Sequence, residues 1–201
     1  MHSSCNHTNV SDYESGCLVK RLPLLRGDIR IAADSCSLIF LNRLHLLETY
    51  ANVHTIVLTQ ALYNEITRVP GNKKIADDQT LYKKLFRGHV LTVEAAEAST
   101  LHLPNAMSVA DRSLIQAYDT LKPDGILTDD KSLCLYCRKH AIPHINTPIA
   151  VFVLLYNGNL SHDQYTAALR ALYDMGRYGQ FIRDYMEKLY ANYCAYTDYM
   201  R

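Results

Sequence analysis

A chain of 201 residues, 48% apolar and 20% charged, is long enough for one well-covered α/β domain and has the balance of an ordinary globular protein. Its formal net charge of +1 excludes a global attraction to polyanions, so a nucleic-acid partner needs a local basic patch or metal ions. No apolar run reaches the roughly 18 residues of a membrane-spanning helix.

Met1 to His7 offers neither a basic n-region nor an apolar core, so a cytoplasmic protein with reduced thiols is expected for the six cysteines. Residues 1–28 read as a tail, polar up to Gly16 and then carrying Leu18, Val19, Leu22, Leu24 and Leu25 around Pro23. From Ile29 the pattern becomes regular. Residues 29–33 predict a strand running into Asp34-Ser35, and 36–49 a helix with Leu38, Ile39, Leu41 and Leu44 at helical spacing. His54 to Leu58 predicts a second strand, and Thr59 an N-cap for a helix that stops before Pro70. Gly71 to Lys74 reads as a loop, 78–87 as a short basic helix, and Val90 to Val93 as a third strand. Ser108-Val109-Ala110-Asp111 is a helix start signal. After the Pro123-Asp124-Gly125 turn, Ile126-Leu127-Thr128 predicts a strand that stops on Asp129-Asp130, with a helix over 131–140. Pro143 to Asn146 is a last short strand, followed by a helix from Pro148 to Tyr156.

Strands alternating with helical segments of 10–15 residues are the signature of βαβ units and a mostly parallel sheet. The expectation is a three-layer Rossmann-like α/β domain over 29–157, with a C-terminal helical extension over 158–201. In the extension, Ser161 to Gln164 forms a capping-box pattern, and helices are expected over 162–175 and 179–200. Tyr190, Tyr193, Tyr196 and Tyr199 recur at every third residue and wind round about half of the last helix. They read either as packing against the domain or a second subunit, or as a stacking platform for bases.

Four acids occupy comparable places in this scheme. Asp34 ends the first strand, Glu65 lies on the helix after the second, Asp111 opens the helix before the fourth, and Asp130, with Asp129 beside it, ends the fourth. Ligands of open α/β sheets sit beyond such carboxyl ends. Hard oxygen ligands without accompanying His or Cys suit Mg²⁺ or Mn²⁺, which generates a nucleophile from water and neutralises phosphate charge. Each acid also has an ordinary role open to it. Asp34 and Asp130 can cap helices, Asp111 can share a capping box with Ser108, and Glu65 can pair with Arg68. Cys134-x-x-Cys137 with His140 has metal-like spacing, but it falls on one helix with no second pair, so core or half-buried packing is expected.

At these residues the chain resembles the PIN-domain ribonuclease family, which includes the VapC-related toxins. The matching stretches are Ile31-Ala32-Ala33-Asp34-Ser35, Asn64-Glu65-Ile66, Ala110-Asp111-Arg112-Ser113-Leu114-Ile115, Leu127-Thr128-Asp129-Asp130-Lys131 and Ile145-Asn146-Thr147. The resemblance implies Mg²⁺- or Mn²⁺-dependent cleavage of single-stranded RNA, less often DNA, by a homodimer. It places catalysis on Asp34, Glu65, Asp111 and Asp130 and the metal on Asp34, Asp111, Asp129 and Asp130; the hydroxyls of Ser35, Thr128 and Thr147 beside these acids, and Arg112 and Lys131 next to two of them in sequence, are the expected substrate contacts. It also implies the toxin of a toxin–antitoxin pair with an antitoxin partner, although this chain is longer at both ends than the compact toxins. The alternative of another class is a catalytically silent PIN-like module that binds RNA or a protein. A nucleotide binder is disfavoured, because neither glycine-rich phosphate cradle occurs. Arg112, Lys131 and Arg138, with Lys73, Lys74, Lys83 and Lys84 as a second patch, are the candidate phosphate contacts.

Overall fold

The computed structural model describes residues 24, 27–67, 90–93, 103, 107–176 and 178–199. Nearly all of the expected tail, the loop over 71–74 and the basic helix over 78–87 lie outside them.

Five strands form one sheet: β1 (Arg30–Ala33), β2 (Thr55–Thr59), β3 (Val90–Val93), β4 (Gly125–Leu127) and β5 (His144–Ile145). Their order is β3-β2-β1-β4-β5 and every pairing is parallel. Ile31, Ala32 and Ala33 of β1 and Ile56, Val57 and Leu58 of β2 are all buried, because helices cover both faces of such a sheet. From β1 the chain first builds outward through β2 and β3, then returns to place β4 on the other side. The switch point is therefore between β1 and β4, where open sheets of this kind leave a crevice at the carboxyl ends.

Eight helices occur among the described residues: α1 (Ser35–Arg43), α2 (Leu47–Val53), α3 (Gln60–Thr67), α4 (Val109–Leu121), α5 (Lys131–Lys139), α6 (Thr147–Tyr156), α7 (His162–Asp174) and α8 (Gln180–Tyr199). The single helix expected over 36–49 is two helices. Leu44 caps α1, His45 turns left-handed at φ 58°, and the His45 and Leu46 amides donate back to the Asn42 and Leu41 carbonyls at 2.9 and 2.8 Å. That is a Schellman close, usually built on glycine. Thr59 caps α3 as expected, accepting from the Leu62 amide at 3.3 Å.

Helix α6 is buried from Thr147 to Leu155 without a polar face. A helix that is apolar all round needs cover on every side. It packs on α1, α7 and α8, and the last two close its outer flank. Leu172 of α7 and Met186 and Leu189 of α8 belong to the same apolar cluster as the sheet. Phe152 meets Tyr165 and Tyr193 edge-on, and Tyr165 stacks on Tyr190 at 5.0 Å, so these tyrosines pack against the domain. Tyr196 remains exposed. At the start of β4 a Cβ on Gly125 would lie 2.8 Å from both the Pro143 carbonyl oxygen and Leu24 Cδ1, so only glycine admits this approach of β4 to β5.

Candidate active site

The adjacent ends of β1 and β4 build the site. The Asp34 amide donates to the Leu127 carbonyl across the two strands at 2.9 Å, which brings the residues after each strand together. Asp34 caps α1 through the Cys36 amide at 3.4 Å, and its side chain is only 4% exposed. The Thr128 hydroxyl donates to Asp34 Oδ2 at 3.1 Å while accepting from the Asp130 amide at 3.1 Å. Burial pushes Asp34 up to about 6. The Thr128 hydroxyl and Cys36 amide oppose that rise, the charge of Asp111 adds to it, and the Ser35 hydroxyl opposes it.

Ser35 links a second acid to the first. Its hydroxyl lies 3.3 Å from Asp34 Oδ1 and 3.3 Å from Glu65 Oε1, and its single proton serves one carboxylate at a time. Glu65 itself is exposed on α3. Asp111 stands in the first turn of α4, where the Ser108 hydroxyl donates to Asp111 Oδ2 at 2.7 Å and accepts from the Asp111 amide at 3.0 Å. One turn on, Ser113 is buried against Thr59 with their hydroxyl oxygens 2.6 Å apart, which fixes α4 to the end of β2. Asp130 caps α5 through the Leu133 amide at 2.8 Å. Asp34, Asp111 and Asp130 thus all serve as helix-start residues; beyond those roles, Asp34 is linked to Glu65 through the Ser35 hydroxyl and to Asp111 through its charge.

Asp129 points elsewhere. Its carboxylate accepts from Ser37 Oγ at 2.7 Å, Tyr178 OH at 2.8 Å, the Thr147 amide at 3.2 Å and the Thr147 hydroxyl. Four donors from α1, α6 and the segment before α8 make Asp129 a clamp between layers. Thr128 and Thr147 are fully buried with their hydroxyls given to Asp34 and Asp129, so as they lie both hold carboxylates rather than facing solvent. Arg112 is half-buried and Lys131 exposed; neither forms a salt bridge among the described residues. Ser37, Tyr178 and the Thr59–Ser113 pair have no sequence signal, since each partner comes from a distant element.

Cys137 is buried and pushed up to about 12 by burial first. Cys134 is pushed up to about 11 by burial and then by the charge of Asp129, and His140 stacks on Tyr136 at 4.2 Å. The thiols are therefore protonated packing groups, as expected of them. Among the described residues no three His, Cys, Asp or Glu side chains stand together where they could all hold one metal ion. The donor chemistry nonetheless suits a hard cation. A buried carboxyl held up to about 6, partly by a neighbouring acid, is a group whose ionisation a nearby cation would favour. No family model matches the chain, and no curated protein matches it.

Proposed function

We propose that this chain is a PIN-like endoribonuclease that hydrolyses single-stranded RNA with the help of Mg²⁺ or Mn²⁺. The observation that carries this is Asp34, a buried carboxyl at the switch point. It feels the charge of Asp111, is one hydroxyl away from the Glu65 carboxylate, and shares the Thr128 hydroxyl with the backbone amide of Asp130. Asp34 would be the cation's first ligand, and Asp111 and Asp130 would have to draw in to join it, since no three acids stand together among the described residues; Asp129 is left to its structural donors. When bound, the cation supplies an activated water and neutralises charge on the phosphate.

The chain's own groups do the rest. Thr128 orients Asp34 and the Asp130 backbone with one hydroxyl. Ser35 sets the distance between Asp34 and the exposed Glu65, which is placed to take a proton at the rim. Arg112 and Lys131, each next in sequence to one of the acids, steady the phosphate backbone. A cytoplasmic site of action, homodimerisation, and a toxin role with an antitoxin partner belong to the same proposal. A catalytically silent PIN-like module is the second reading, favoured by the lack of a three-acid group among the described residues.

The test is cleavage of a labelled single-stranded RNA with Mg²⁺ or Mn²⁺, compared with EDTA. Asp34→Asn and Asp130→Asn abolish cleavage in folded protein if the proposal holds. Equal cleavage by both variants, or cleavage in EDTA, refutes it.

A further inference from the structure

Beside β5, the strand at the sheet's edge, lies a cavity of about 300 Å³ whose lining includes Cys134, Arg138, His144, Asn146, Phe181 and Tyr185. Its position ties it to the acidic edge. Asn146 caps α6 through the Ile149 amide at 3.1 Å, and the next residue, Thr147, holds Asp129. Cys134 donates its thiol hydrogen to the Thr128 carbonyl at 3.7 Å. The cavity therefore borders the Asp129 clamp through Asn146 and meets, through Cys134, the backbone of Thr128, whose hydroxyl orients Asp34.

Its lining is apolar and aromatic, with Ile145, Ile149 and Ile182 beside the rings, one cation in Arg138, and no Asp or Glu. Arg138, in the last turn of α5, is exposed and forms no salt bridge among the described residues. Phe181 and Tyr185 lie one turn apart on α8. Phe181 is 78% exposed, an unusual placement for a phenylalanine in a chain that buries most of its large apolar side chains. His144 Nδ1 lies 3.0 Å from the Ile142 carbonyl oxygen. When Nδ1–H donates there, Nε2 is left as an acceptor, which a ribose 2′-hydroxyl can satisfy and a deoxyribose cannot. A cation beside aromatic rings is one way proteins hold single strands without reading their sequence, and here Arg138 stands beside the exposed Phe181 and the half-buried Tyr185.

We propose that this cavity is a subsite for one nucleotide of single-stranded RNA, with its base on Phe181 and Tyr185 and its phosphate on Arg138. The identity of the ligand rests on the nuclease reading.

The test uses the full chain in EDTA, so that binding is measured without metal-dependent cleavage. The probe is a fluorescein-labelled RNA of about ten nucleotides, within the usual range of single-strand sites. Phe181→Leu keeps an apolar side chain but loses the ring, and weakens binding by roughly tenfold, the scale of one stacked base. Phe181→Trp retains binding. Arg138→Gln lowers the slope of log affinity against log salt by roughly 0.7, the value for one phosphate of a single strand. The exposed position of Phe181 keeps both variants folded, checked by their melting temperatures. Phe181→Leu binding as tightly as the parent, or no binding by the parent, overturns the subsite. So does a change in sedimentation mass with RNA affinity unchanged, which makes the cavity a protein contact. Ring-dependent binding without cleavage on adding Mn²⁺ leaves the subsite standing and removes the nuclease reading. Cleavage with binding indifferent to Phe181 and Arg138 does the reverse.

Discussion

Removing the charge of Asp34 trades activity for stability, and the magnitude follows from its surroundings. Burial moves this carboxyl from 3.8 to about 6. At about 1.4 kcal/mol per pH unit, ionising it in the folded chain costs on the order of 3 kcal/mol more than in the unfolded chain. Its folded value is the higher one. The stability it contributes is therefore fully present below about 4 and lost as pH rises through about 6. Asp34→Asn keeps the volume and removes the titration. The amide oxygen still accepts from the Cys36 amide, and the amide nitrogen can donate to Thr128 Oγ1 in place of the bond that Thr128 now donates. In EDTA at pH 7 the variant is expected to be more stable by about 1–3 kcal/mol, the lower end allowing for one imperfect hydrogen bond. The assay is urea unfolding followed by far-UV circular dichroism between pH 4 and 7.5, since the chain has no tryptophan to report. Burial lowers His54, which therefore contributes with the opposite sign, and the difference between the parent and variant curves isolates Asp34. A difference that is flat with pH, or a variant less stable at pH 7, refutes this account of Asp34.

Millimolar Mg²⁺ raises the melting temperature at neutral pH by binding the folded state alone; indifference to it in a thermal scan favours the silent module. Asp129→Ala strands the buried Ser37 and Thr147 donors and costs about 2–4 kcal/mol in urea unfolding. A loss below about half a kcal/mol removes the clamp role. Asp130→Asn shifts stability by less than about 0.5 kcal/mol, because asparagine caps a helix as well as aspartate, while cleavage is lost. Gly125→Ala destabilises by roughly 1–3 kcal/mol, since the Pro143 carbonyl it meets is backbone and cannot rotate away.

The parts of the fold legible in the sequence are those with local causes. Apolar runs ending on Asp marked β1 and β4, and the acids that cap α1 and α5 are the ones brought to the switch point. The break after α1 was not legible, because its left-handed residue is His45 where the usual signal is Gly or Asn. The separate duties of Asp129 and Asp130 were likewise hidden. Neighbours in sequence, they face different layers, and the donors that claim Asp129 come from 92 and 49 positions away. Tyr190 and Tyr193 of α8 were ambiguous by spacing alone, since what decides them is tertiary: Tyr193 covers Phe152 on the unbroken apolar surface of α6 and Tyr190 stacks on Tyr165 of α7.

Thr128 and Asp34, the two residues that define the acidic edge, are 94 positions apart. The edge is therefore a late product of synthesis. A nascent chain that has released β1, β2 and β3 holds Asp34 alone, without the Thr128 hydroxyl, the Asp130 carboxyl or the switch point. Asp129 is not locked until Tyr178 has been added, 49 positions further on. Domains that wait for distant pairings fold slowly. For a protein proposed to cut RNA, that order has a use: the site does not exist until residues far downstream of Asp34 have been added.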